Sequence, residues 1–156
     1  LTLNSTGSTI VAAQAGGTPQ FRGGGATFNN LWFSGGASGI SYTITGTNTF
    51  TGTLSDTGTA AHSITFPNVT TTVANFTRAA GTNVITLQRT GGSGTFTLAK
   101  TGTTAVSLDY ISVSNSAVGP TNMWFAGDHS TDGGGNTGWV WWRLGRSRNL
   151  LMGVGK

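Results

Sequence analysis

The stretch HSITFPNVTTTVANFTRAAGTNVITLQRTGGSGTFTLAKTGTTAVSLDYISV, residues 62–113, carries one phrase three times. Ile64-Thr65-Phe66 returns as Ile85-Thr86-Leu87 and again as Val106-Ser107-Leu108, so its copies open evenly at positions 64, 85 and 106. Ile44-Thr45-Gly46, one such step before Ile64, reads as an earlier, degraded copy. In each full copy two apolar residues flank a hydroxyl residue, the alternation of a strand with one buried face. Between the copies lie Gly, Thr, Asn and Ser, with no apolar recurrence at helical spacing. A fixed period of this size means that one supersecondary unit is stacked on itself. Short strands and tight turns repeating at that interval suit a β-solenoid.

Outward from this stretch the chain keeps the same grammar. Thr27 to Phe33 is dense in aromatics, and Ile40 to Ile44 alternates strictly. Pro67 closes the strand before it, because it has no N–H for a ladder. Gly23-Gly24-Gly25, Asp56-Thr57-Gly58 and Gly91-Gly92-Ser93-Gly94 are turn chemistry. Between Leu108 and Ile111 the apolar phase slips, which marks a corner or a bulge. The sequence therefore predicts an all-β fold, a right-handed parallel β-helix of about 20–21 residues per rung. Ile64, Ile85 and Val106 are expected to form one inward stack, with Phe66, Leu87 and Leu108 beside it. An antiparallel β-sandwich is the alternative that the strand and turn spacing also permits. Three segments follow: a partial rung or arm over 1–26, a solenoid body over 27–142, and a tail over 143–156.

Charged residues are only 8% of the chain, where globular domains average about a quarter. Abundant aromatic and β-branched residues exclude the disorder that low hydrophobicity brings. The exterior is expected to be Thr and Ser, whose hydroxyls keep an outward strand face wet. Over residues 1–142, Arg22, Arg78, Arg89 and Lys100 balance Asp56, Asp109, Asp128 and Asp132. Arg143, Arg146, Arg148 and Lys156 supply the whole formal charge of +4. A neutral body gives no basic patch for nucleic acid. No apolar run approaches a membrane span, so no membrane partner is expected. With no cysteine, disulfides and thiolate metal sites are excluded. The chain opens on Leu1 without a secretory signal, and is expected to be processed or to be part of something longer.

The run from Phe76 through Gly119, then Trp124-Phe125-Ala126-Gly127 and Thr131-Asp132-Gly133-Gly134-Gly135-Asn136-Thr137-Gly138-Trp139, resembles a recurrent ending of right-handed parallel β-helix (pectin-lyase-like) proteins. Such endings occur in phage virion proteins and bacterial surface proteins. Thr27 to Leu31 and Gly46 to Phe50 are similar to the rungs that precede it. The resemblance spans residues 27–142 and implies a fold more than a function, since sites are grafted onto folds. The tail departs from it.

Glycosidases need two carboxyl groups facing one bond, and this chain has four Asp and no Glu. Asp128-His129 is the one acid–base couple adjacent in sequence, and neither His62 nor His129 shows a triad partner. No catalytic residues and no enzymatic activity are expected. The Asp128, Asp132, Asn136 loop offers oxygen ligands of the kind calcium takes. Its spacing matches neither an EF-hand nor the calcium β-roll nonapeptide, so a turn is expected, with no cofactor.

Trp124 and Trp139 are expected to cap the last rung, because an open solenoid end aggregates. Trp141 and Trp142 are adjacent, so one of them faces outward. In the tail, Arg143, Arg146 and Arg148 interleave with Leu144, Leu150, Leu151 and Met152. A solubilising end or a nucleic-acid arm would use charge alone. Together with Trp141 and Trp142 these residues are expected to dock on a neighbouring subunit. The expectation is a non-enzymatic virion subunit (decoration, fibre or spike) that binds other virion or filament subunits as a homo-oligomer. The alternatives are an extracellular adhesin or surface-filament module, and a carbohydrate-binding or carbohydrate-active β-helix with cell-surface glycan as partner.

Overall fold

The computed structural model describes residues 7–35, 37–79, 81–91 and 93–142. These residues form sixteen strands and no helix. Every strand pairing is parallel, which excludes the hairpins of an antiparallel sandwich. The chain visits three faces in a fixed rotation, and strands stack on each face to make a β-solenoid.

Face one holds β3 (Thr27–Phe28), the first halves of β6 (Asn48–Asp56) and β8 (Thr70–Arg78), β10 (Phe96–Lys100) and β13 (Ser116–Gly119). Face two holds β1 (Thr9–Ala12), β4 (Asn30–Phe33), the second halves of β6 and β8, then β11 (Val106–Leu108), β14 (Trp124–Ala126) and β16 (Trp139–Trp141). Face three is a six-stranded ladder of β2 (Gln20–Arg22), β5 (Ser41–Thr45), β7 (Ser63–Phe66), β9 (Ile85–Arg89), β12 (Ile111–Val113) and β15 (Thr131–Asp132). Strand β6 turns from face one to face two at a bulge between Phe50 and Thr53. Gly52 sits there because a Cβ would lie 2.2 Å from the Asn30 side-chain oxygen.

Alternate residues point inward and stack in columns. Tyr42, Ile64, Leu87 and Val113 form one on face three. Leu31, Leu54 and Phe76 form another on face two, and Phe28, Phe50 and Val73 a third on face one. All these residues are buried, and each contributes about 1.5–3 kcal/mol of transfer free energy. Phe66 and Phe96 close the gap between faces with rings stacked 5.0 Å apart.

The expected stack of Ile64, Ile85 and Val106 is not formed. Ile64 pairs with Leu87 instead of Ile85, and Ile85 pairs with Ile111. Val106 lies on face two against Trp124. Side chains alternate along a strand, so sliding the pairing from Ile85 to Leu87 keeps the same residues inward. The repeated phrase therefore marks an inward-facing strand without revealing its register. The step also varies along face three. It is longer from Ile85 to Ile111 than from Tyr42 to Ile64, and shortest from Ser112 to Thr131.

Candidate functional site

One inward column breaks the apolar rule. On face two, Ala12, Phe33, Asp56 and Arg78 stand in ladder register, so a buried acid lies beneath a base. The Asp56 carboxylate is fully buried, 3.1 Å from His62 Nε2 and 3.5 Å from Arg78 Nε. Both are ionic contacts rather than aligned hydrogen bonds. Its Oδ1 also accepts the Gly58 N–H at 3.0 Å.

His62 Nδ1 lies 2.8 Å from the Ala60 carbonyl, which only accepts, so Nδ1 carries hydrogen. Burial pushes the His62 pKa down, but Asp56 and the Ala60 carbonyl outweigh it and the value is raised. Arg78 donates from Nη1 to the Asp109 carbonyl at 2.9 Å and from Nη2 to the Asn83 carbonyl. These groups tie successive turns together from inside.

A second cluster is on the surface. Between β11 and β12 the chain turns a corner at Asp109-Tyr110, where the sequence shows its phase slip. Tyr110 has φ of 53°, a left-handed conformation that bulky residues rarely adopt. The Asp109 Oδ1 accepts the N–H groups of Tyr110 at 2.8 Å and His129 at 3.0 Å. Its Oδ2 lies 2.8 Å from His129 Nδ1. The carboxylate thus orients the imidazole and leaves Nε2 toward solvent, in a side chain 57% exposed.

The Tyr110 and His129 rings stack in parallel at 4.4 Å. Gly127 permits this approach, since a Cβ there would lie 2.6 Å from the Asp109 carboxyl. Partial burial raises the Asp109 pKa, but His129 and the two backbone N–H groups hold it below the usual carboxylate range. Their support for the fold is therefore complete above that range and is lost as pH falls through the lowered value. Beside the cluster lies a cleft of about 280 Å³ lined by Arg78, Ala79, Gly81, Ser107, Asp109 and Tyr110.

The acid that meets the His129 ring is therefore Asp109, one turn of the solenoid below. The phase slip between Leu108 and Ile111 marks the corner. The residue that stacks above Asp109 follows only from a register that the sequence does not show.

The loop residues Asp132 and Asn136 do meet, as turn formers. Asp132 Oδ1 accepts from Gly134 N at 2.9 Å and Asn136 Nδ2 at 2.6 Å. Asn136 also accepts from Ser116 N and donates to the Val113 carbonyl. Asp128 sits earlier, in the turn after β14. Among the described residues no group of three or more His or Asp is arranged to hold a metal ion.

Trp124 and Trp139 are buried and meet edge to face at 5.6 Å. Their indole N–H groups reach the Gly119 carbonyl and Ser116 Oγ, each at 3.1 Å. Trp141 is half-buried against Trp139, and Trp142 is 59% exposed. Arg143, Leu144, Arg146, Arg148, Leu150, Leu151 and Met152 lie outside the described residues.

At the opposite end, the first two turns line a half-open pocket of about 400 Å³ whose walls include Ile10, Ala12, Phe21, Leu31, Phe33 and Tyr42. The sequence does not single out this pocket, because its walls come from four strands on two faces. No family model, curated protein or solved structure matches the chain.

Proposed function

We propose that this protein is a non-enzymatic structural subunit of a phage particle, serving as a decoration, fibre or spike component. One observation carries the reading: among the described residues the strand ladders end in one-sided strands. Strands β1, β2 and β3 at one end, and β15 and β16 at the other, each pair with a single neighbour. Such edges are templates for association unless something covers them, and in a particle subunit the neighbour is the cover. Asp56 and Arg78 in the interior tie successive turns together, and the outward strand positions are rich in Thr and Ser. The resemblance to pectin-lyase-like repeats of virion proteins points the same way.

Quantitative mass spectrometry of purified particles is expected to find the chain at a fixed stoichiometry. Its absence from particles, with display on a bacterial surface, would move it to the adhesin or surface-filament alternative. A reducing-sugar assay over a panel of polysaccharides is expected to show no turnover. Activity that His129→Ala abolished would overturn the non-enzymatic reading.

The Asp109, Tyr110 and His129 corner favours a second reading, a surface that holds cell-surface glycan. An exposed carboxylate accepts hydroxyl donors, and an aromatic face stacks on a sugar ring. In that reading a glycan array gives binding to neutral oligosaccharides. Tyr110→Gly, which suits the positive φ, and Asp109→Asn should then each weaken it at least tenfold. An array without hits removes this reading.

A further inference from the structure

Arg89 ends β9 where the chain leaves face three for face one, and its charge is unmatched among the described residues. Its ladder partner is the buried Phe66, and its parity on β9 is that of the inward Ile85 and Leu87. The Nε and Nη1 atoms are sealed from solvent, yet neither has a hydrogen-bond partner. Among the described residues the ion pairs join Asp56 to His62 and Arg78, and Asp109 to His129, and none includes Arg89. Asp132 is held in its own turn by Gly134 and Asn136. A guanidinium withdrawn from water is costly unless an anion meets it.

The same corner supplies a place for that anion. Asn68 lies there one turn earlier, in the exposed bend between β7 and β8. Gly94 faces both side chains. A Cβ on it would lie 3.3 Å from Asn68 Oδ1, 3.8 Å from Asn68 Nδ2 and 3.9 Å from Arg89 Cζ. The missing side chain thus leaves a notch between an amide and a guanidinium.

We propose that Arg89, Asn68 and Gly94 form a binding site for one tetrahedral oxyanion, phosphate or sulfate. The third guanidinium nitrogen, Nη2, is not among the sealed atoms. It belongs to both forked edges of the group, so an oxyanion entering at Nη2 also reaches Nε or Nη1. The fork gives two parallel N–H donors to two oxygens. The Asn68 amide gives a third donor to another oxygen. A planar carboxylate has only two oxygens and cannot fill all three positions.

The probes are sodium sulfate and inorganic phosphate, added to the full chain, residues 1–156, at constant ionic strength with chloride as the balance. Both ions also stabilise proteins through exclusion from their surfaces, an effect that does not saturate. The first readout is therefore the Arg89 Nε–Hε resonance in a two-dimensional nitrogen–proton spectrum. It is expected to shift along a single-site curve, complete in the low millimolar range, with sulfate and with phosphate, and to move little with acetate. Titration calorimetry follows the variants. Arg89→Lys keeps the charge and loses the fork, so it should weaken binding at least about tenfold. Asn68→Ala, on an exposed bend, should weaken it about two- to tenfold, the worth of one hydrogen bond. Gly94→Ala fills the notch and should remove binding, with circular dichroism checking that it folds despite a φ of 113°. Should it not fold, the other two variants carry the test.

A wild-type resonance that stays still, or shifts without saturating, overturns the site. So does sulfate binding that Arg89→Lys and Asn68→Ala leave unchanged, which would mark an adventitious ion only, held by the arginines of residues 143–156. Acetate bound as tightly as sulfate overturns it too, because the fork alone would then account for the affinity.

Discussion

Replacing Ile85 with Asp is expected to leave no folded protein. Ile85 is fully buried on the central part of face three, opposite Ile111, and its N–H donates to the Tyr110 carbonyl at 3.0 Å. An aspartate there either buries an unpaired charge or pulls its strand out of the ladder. The penalty is several kcal/mol in either case, against a total stability of about 5–15 kcal/mol for a domain. Topology enlarges the effect. A solenoid turn contacts only its neighbours, so a break in the middle leaves two short stacks with fresh open ends, and short stacks are unstable alone. Ile85→Val, at about 0.5–1.5 kcal/mol, should remain folded. The readout is far-ultraviolet circular dichroism with a thermal melt. A cooperative, wild-type-like melt for Ile85→Asp would show that the column is not the spine of the fold.

Asp56→Ala is expected to cost about 3–5 kcal/mol, because it leaves Arg78 and His62 buried without their counter-charge. The same network predicts a pH dependence. The folded-state pKa of His62 is raised, so its contribution is complete below the unfolded value, about 6.5. It is lost as pH rises through the raised folded value. The urea midpoint of the wild type should therefore fall across that window on the alkaline side. Asp56→Ala and His62→Gln should both flatten the fall. A wild-type midpoint that holds steady there would mean that His62 is buried neutral and that Asp56 answers to Arg78 alone.

The alternation of Ile64, Ile85 and Val106 with hydroxyl residues discloses strands, and their even recurrence discloses stacking. Both are local properties. Register is not local, and the pairing of Ile64 with Leu87 instead of Ile85 shows where local reading stops. The error carries into the site. Asp109 and His129 are 20 residues apart and meet only because one particular turn has that length.

Asp56 is instructive in a different way. Asp-Thr-Gly reads as an exposed turn, yet Leu54 and Asp56 have the same parity on one strand, and the parity decides: both point inward. Burial of an acid is thus legible in the alternation, although its partners His62 and Arg78 are not.

The uneven step leaves the last turns the short ones. On face two the chain takes a long circuit from Leu31 to Leu54 and from Leu54 to Phe76, and a short one from Val106 to Trp124 and from Trp124 to Trp139. A shorter circuit encloses less interior, so a single indole fills more of its layer, which is the geometric reason why Trp124 and Trp139 sit where they do.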